Sequence, residues 1–110
     1  MSLKIDKDAL LQEMYRDDYF PNHLVDKLRD IILGVCADIE TRQPENLPAL
    51  YCITCQATEQ INELQQAFED SGSEIETAAR DDIAMAFQLV AKTYGFDNAD
   101  LEEMVATRDW

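Results

Sequence analysis

Between Leu50 and Phe68 apolar side chains return at steps of three and four: Leu50, Ile53, Ala57, Ile61, Leu64 and Phe68. On a helix of 3.6 residues per turn these fall on one stripe, while Glu59, Gln60, Asn62, Glu63, Gln65 and Gln66 cover the rest of the surface. The pattern predicts a helix from about Pro48 to Asp70, on whose stripe the other helices pack. A second stripe, Leu24, Leu28, Ile31, Ile32, Val35 and Ile39 with Val25 and Cys36 at its edges, predicts a helix from about Pro21 to Thr41. Pro21 suits its first turn, where a missing N–H is not needed. Gly34 weakens this helix by about 1 kcal/mol relative to alanine, and its missing side chain would let a neighbouring helix approach closely. A third pattern, Ile75, Ala79, Ile83, Ala86, Phe87, Val90 and Tyr94, widened by Met85 and Leu89, predicts a helix from Ser73 to about Tyr94.

The remaining segments are short. Asp6 is placed to cap a helix running to about Tyr15, with Leu10, Leu11 and Met14 on its inner side. Pro44, Asn46 and Pro48 mark a loop, and Ser71-Gly72-Ser73 marks a stop with Gly72 near the C′ position. Ser73 and Glu76 have capping-box spacing. Gly95 ends the long C-terminal helix, and Asp97 or Asn98 caps a last short one containing Leu101, Met104 and Val105. Tyr51 to Cys55 carries residues suited to strands, but the three-four pattern continues through it. The expectation is an all-α fold: one domain over residues 1–110, an antiparallel bundle of three long and two short helices.

Composition narrows the function classes. The chain of 110 residues is 46% hydrophobic with three Gly and three Pro, enough apolar material for one core. No apolar run reaches the eighteen or so residues of a membrane span. The first nine residues lack the apolar stretch of a secretory signal, so a cytoplasmic location is expected. Nine basic residues face twenty-three acidic ones, for a net charge of −14. That balance repels nucleic-acid phosphates and anionic membrane surfaces and steers basic partners, though it also serves solubility alone.

Candidate chemistry is sparse. Cys36, Cys52 and Cys55 make an odd count inside apolar-periodic segments, which argues for small buried hydrophobes in a reducing compartment rather than a disulfide framework. Cys52-x-x-Cys55 lacks a redox context: the helix is expected to begin several residues earlier, away from the dipole that activates such a thiol. Together with His23 the cysteines supply zinc ligands by type, but at no zinc-module spacing. A di-iron carboxylate bundle needs two Glu-x-x-His motifs and the chain has one histidine. The acid pairs, among them Asp17-Asp18 and Asp81-Asp82, read as a solvated surface. No glycine-rich phosphate loop exists. No metal, cofactor or catalytic residue is therefore expected. More unusual are Arg80, the first cation after a run from Gln43 to Ala79 that has none, and the tail Arg108-Asp109-Trp110 with the sole indole. Structurally, Trp110 would dock on the bundle and Arg108 would pair with an acid such as Asp17 or Asp18. Alternatively these residues line a pocket.

Asp17-Asp18-Tyr19-Phe20-Pro21, Leu24-Val25-Asp26-Lys27, Ile75-Glu76-Thr77-Ala78-Ala79-Arg80, Tyr94-Gly95-Phe96 and Ala106-Thr107-Arg108-Asp109-Trp110 resemble a family of small bacterial proteins, the domain of unknown function family 5713. The resemblance covers nearly the whole chain. It implies a bacterial, single-domain, helical protein and adds weight to Asp17, Asp18, Tyr19, Phe20, Pro21, Asp26, Arg80, Arg108, Asp109 and Trp110, as a shared structural cluster or a shared site.

The function expected is a non-catalytic module whose acidic surface engages a basic partner protein, comparable in charge and size to immunity or antitoxin proteins. The alternative is a small-ligand or enzyme site built from the Asp17-to-His23 turn, with Tyr19 and Phe20, together with Arg80 and the Arg108-to-Trp110 tail. A third reading, mimicry of DNA by carboxylates, requires them to be spaced like phosphates along one elongated face.

Overall fold

Two long helices carry the fold. In the computed structural model, which describes residues 4–110, α2 (Asn22–Arg42) and α3 (Leu47–Asp70) form an antiparallel hairpin around the short loop 43–46. Gln43 takes a left-handed conformation to leave α2, and Asn46 caps α3, its side chain accepting the Ala49 N–H at 3.0 Å. Leu24, Val25, Leu28, Ile32, Val35, Cys36 and Ile39 from α2 meet Leu50, Ile53, Ala57, Ile61 and Phe68 from α3 in the core. Val25 and Cys36 are fully buried rather than peripheral, and Ile31 and Leu64 are the half-covered positions.

α4 (Thr77–Thr93) closes the core with Ala79, Ile83, Ala86, Phe87 and Val90. The turns before and after it share one device. Gly72 and Gly95 adopt φ of +78° and +84°, and the following residue's N–H reaches back to a carbonyl of the last helical turn. Ser73 donates to Phe68 O and Phe96 donates to Ala91 O, each at 2.8 Å. The short helices α1 (Gln12–Arg16) and α5 (Leu101–Met104) pack against α4, α1 also against α2 and α5 also against α3. The described residues form an all-α bundle of three long and two short helices, with no strand among them. Its radius of gyration, 13.3 Å, matches the roughly 13 Å expected for a compact unit of this length.

Several local expectations are corrected. Asp6 caps only a 3-10 turn at Lys7–Ala9. Leu11 then takes φ 59°, so the expected first helix is broken and restarts at Gln12 while Leu10 and Leu11 both stay buried. Ser73 does not open α4: its N–H is spent on Phe68 O and its hydroxyl is buried without a partner. Glu76 is the cap, accepting the Ala78 N–H at 3.3 Å. Asp100, not Asp97 or Asn98, caps α5 by accepting the Glu102 N–H. Met85 does not widen the core face of α4; it is 62% exposed. Asp82 is not solvated but buried.

Gly34 also differs. It lies on the exposed side of α2, and a Cβ built there meets nothing within 4 Å. No close helix approach depends on it. Gly34→Ala should therefore raise stability by about 1 kcal/mol, seen as an increase of roughly 4 °C in Tm by circular dichroism. A decrease would mean that alanine meets an obstacle the open surface does not show.

Two tyrosine–carboxylate pairs tie neighbouring segments to α2. Tyr15 of α1 donates to Asp26, and Arg29 lies over its ring at 5.1 Å. Burial first, then that hydrogen bond, pushes the Tyr15 phenol up to about 12. At the other end of α2 the Tyr94 hydroxyl donates to Glu40, which also accepts the Lys4 N–H at 2.9 Å. Burial and that carboxylate raise the Tyr94 phenol well above the usual range. Cys36, buried beside this pair, has its thiol pushed up to about 11 by burial, so it stays protonated and unreactive at neutral pH.

Candidate functional site

The Asp17–Pro21 turn is set by three local bonds and one apolar anchor. α1 ends where the Asp17 N–H donates to Met14 O. The Asp17 carboxylate then accepts the Tyr19 N–H at 2.9 Å, and Asp17 O accepts the Phe20 N–H at 3.1 Å. Pro21 stands just outside α2, its carbonyl accepting the Leu24 and Val25 N–H groups. Phe20 is buried edge-on to Phe68, ring centres 6.5 Å apart, while Tyr19 rests edge-on against Phe20 and is 43% exposed. Apolar anchoring of Phe20 therefore leaves Asp17, Asp18 and Tyr19 facing outward.

Beside this turn lies an open cleft of about 490 Å³ between α1 and the start of α4. Met14, Phe20 and Ala78 contribute its apolar wall, and Glu13, Asp17 and Asp18 its carboxylates. Arg16, also on the rim, is paired to Glu13 at 3.0 Å. That exposed pair contributes little to stability, but it spends the only cation of the rim on Glu13 and leaves Asp17 and Asp18 outside any ion pair of the described residues.

The floor between α1 and α4 is fixed by Asp82. Its Oδ2 accepts the Met14 N–H at 3.0 Å in a buried position. Met14 is the third residue of α1, and Leu11, in the left-handed conformation, makes no side-chain cap. Asp82 thus caps α1 from another helix. Burial raises its carboxyl above the ordinary aspartate value, against the lowering effect of the Met14 hydrogen bond.

The tail lies on a different part of the bundle, held by a polar ladder on α3. Thr107 donates its hydroxyl to Cys55 O at 3.2 Å, Asn62 donates its side-chain amide to Thr107 O at 2.9 Å, and the Asp109 N–H donates to Asn62 Oδ1 at 2.9 Å. Thr58 donates to Thr54 O and lies 3.3 Å from Met104 O. Trp110 is half-buried against the core with its indole N–H buried and unpartnered, and the Arg108 guanidinium lies 5.9 Å from its ring centre. Arg108 does pair with an acid, but that acid is Glu102 at 3.2 Å, not Asp17 or Asp18.

The expected site residues therefore fall into separate groups. Asp17, Asp18 and Phe20 share the cleft, with Tyr19 on its outer flank. Arg108, Asp109 and Trp110 share the α3 ladder. His23 is exposed in the first turn of α2, and Arg80 is exposed on α4, in no ion pair of the described residues. None of the five principal clefts of the described residues is lined by both groups, or by Arg80 or His23.

The thiols separate too. Cys52 is exposed rather than packed, and Cys55 is half-buried with its sulfur 3.5 Å from Glu103 O. Both lie inside α3, beyond the first-turn N–H groups that lower a thiol pKa. No group of three or more His, Cys, Asp or Glu among the described residues is placed to hold a metal ion, and no helix among them is long and apolar enough to cross a membrane.

Sequence reasoning missed Thr58 and Asn62 as the receptor of the tail, because polar residues on the outer side of α3 carry no local mark of the segment that lies against them. Nothing local in the sequence marks Asp82 as buried, because the group it serves lies 68 positions away.

Among curated proteins and among solved structures, nothing matches this chain. Residues 4–110, which carry both the cleft and the docked tail, match a family described as being of unknown function, DUF5713, and the chain belongs to that family.

Proposed function

We propose that this is a cytoplasmic, non-catalytic interaction module that engages a basic protein partner. The observation that carries the reading is the cleft at the Asp17–Asp18 turn. Two carboxylates outside any ion pair of the described residues stand beside an apolar wall that Ala78 exposes over the buried Met14 and Phe20, in a chain of net charge −14. A lysine or arginine side chain matches both parts, laying its methylene stem on the wall and its charge between the carboxylates. The protein's overall field would steer such a partner from a distance. A single ligand pocket made jointly by the turn, Arg80 and the tail is less well supported, since these groups share none of the five principal clefts of the described residues.

The test is capture of partners from bacterial lysate with the full chain at low and at high salt, repeated with Asp17→Asn/Asp18→Asn. A basic protein retained at low salt, released at high salt and lost with the double variant is the expected result. If no salt-sensitive basic protein is recovered, or if the variant retains it equally, the reading fails.

A further inference from the structure

The acidic cleft does not end at the turn. A second cleft of about 310 Å³ lies along the same α1–α4 seam, and Glu13 borders both. The two clefts meet at Glu13. The end of α1 faces Ala78, and its start faces the stretch from Asp82 to Leu89. Along α4 the seam positions are Ala78, Asp82, Met85 and Leu89, at steps of four, three and four, one stripe about 16 Å long on which Asp82 is buried at its contact with α1. At its centre stands Met85, 62% exposed, with Leu89 half-buried beside it. Met85 and Tyr19 are the large hydrophobic residues exposed among the described ones, and each flanks one of these two clefts.

We propose that this seam is a docking groove for a basic amphipathic helix of a partner protein. Its apolar face would lie on Met85 and Leu89, and its cations would reach Asp17 and Asp18. The proposal rests on the partner reading above and gives that partner a shape. Three features choose this occupant. The length matches three helical turns. The exposed anchor is a methionine, whose flexible, polarizable side chain adapts to varied apolar surfaces. The charge disfavours the simplest rival: a second copy would bring another −14 to the same rim, whereas a basic helix is attracted to it.

Two synthetic peptides of about twelve residues test this. Both consist of leucine and lysine in equal numbers. In one, the leucines follow the three-four spacing; in the other, the order is scrambled so that no apolar face forms. Binding to the full chain is measured by calorimetry at low and moderate salt. The amphipathic peptide should bind at least about tenfold more tightly than the scrambled one. Met85→Asp should abolish that difference, and Met85→Gln, which preserves size and helix propensity, should reduce it. Thermal melts establish that both variants are folded; Met85 is already exposed, so neither change should disturb the core.

Equal, salt-sensitive binding of the two peptides would overturn the groove while leaving the acidic partner reading in place. Binding of neither peptide at low salt would overturn both. Sedimentation analysis tests the rival occupant: a dimer dissolved by Met85→Asp would assign the seam to a second copy and overturn the proposal.

Discussion

Phe68→Ala should destabilise the protein by about 3–5 kcal/mol, the usual cost of deleting a fully buried phenylalanine ring. Phe68 has 0% exposure near the end of α3. Its ring meets Phe20, and its carbonyl accepts both the Ser71 and the Ser73 N–H groups that close the helix. One residue therefore links the α3 terminus to the turn that presents Asp17 and Asp18. Against a total stability of about 5–15 kcal/mol for an ordinary domain, the loss is large, and Tm should fall by roughly 15 °C. Phe68→Leu, which refills much of the volume, should cost markedly less. The two variants also separate packing from site geometry. If the Phe20–Phe68 contact seats the turn, Phe68→Leu should weaken binding of a basic partner at temperatures where the protein remains folded. A fall in Tm below about 5 °C for Phe68→Ala would mean that the α3 end repacks freely and that the turn has another anchor.

The long helices were legible because burial imposes one period on many residues at once. Leu50, Ile53, Ala57, Ile61 and Phe68 face inward for the same reason, so a single misread position does not move the helix. Short segments have no such redundancy. Leu11 in a left-handed turn, Ser73 outside α4 and Asp100 as a cap each depend on a single backbone choice. Propensity at one residue is weaker than the tertiary contacts that decide it, as the burial of both Leu10 and Leu11 shows.

The site divides along the same line. Asp17-Asp18-Tyr19-Phe20-Pro21 could be singled out as a turn, and the structure places three of those residues at one cleft. Local sequence could not bring in Glu13, Met14 and Ala78, which reach the cleft only because α1 folds back on α4. The tail was readable as docked, through the rarity of a terminal tryptophan, but its receptor on α3 was not, since Thr58 and Asn62 look like ordinary polar surface until Met104 and Thr107 lie against them. Charge located an acidic surface without showing which carboxylates lie outside ion pairs, because that depends on whether a cation such as Arg16 is already spent on Glu13.

Asp82 distinguishes a hydrogen-bonding role from a charge role, and its variants should differ in sign. Asp82→Ala leaves the Met14 N–H buried without an acceptor and α1 without a cap, a loss of about 1–3 kcal/mol. Asp82→Asn keeps an oxygen at the same place and removes a charge that burial opposes. Because the folded carboxyl titrates above its unfolded value of 3.8, the stability linked to its protonation is full below pH 3.8 and is lost as pH rises through the folded value. Wild type and Asp82→Asn should therefore match in acid, and the asparagine variant should become the more stable as pH rises above 3.8. Urea denaturation of both across pH 3 to 7 measures that difference. A gap that opened the other way would show that the charged cap outweighs its burial. In that case the negative charge on Asp82 would itself help set the field of the α1–α4 seam.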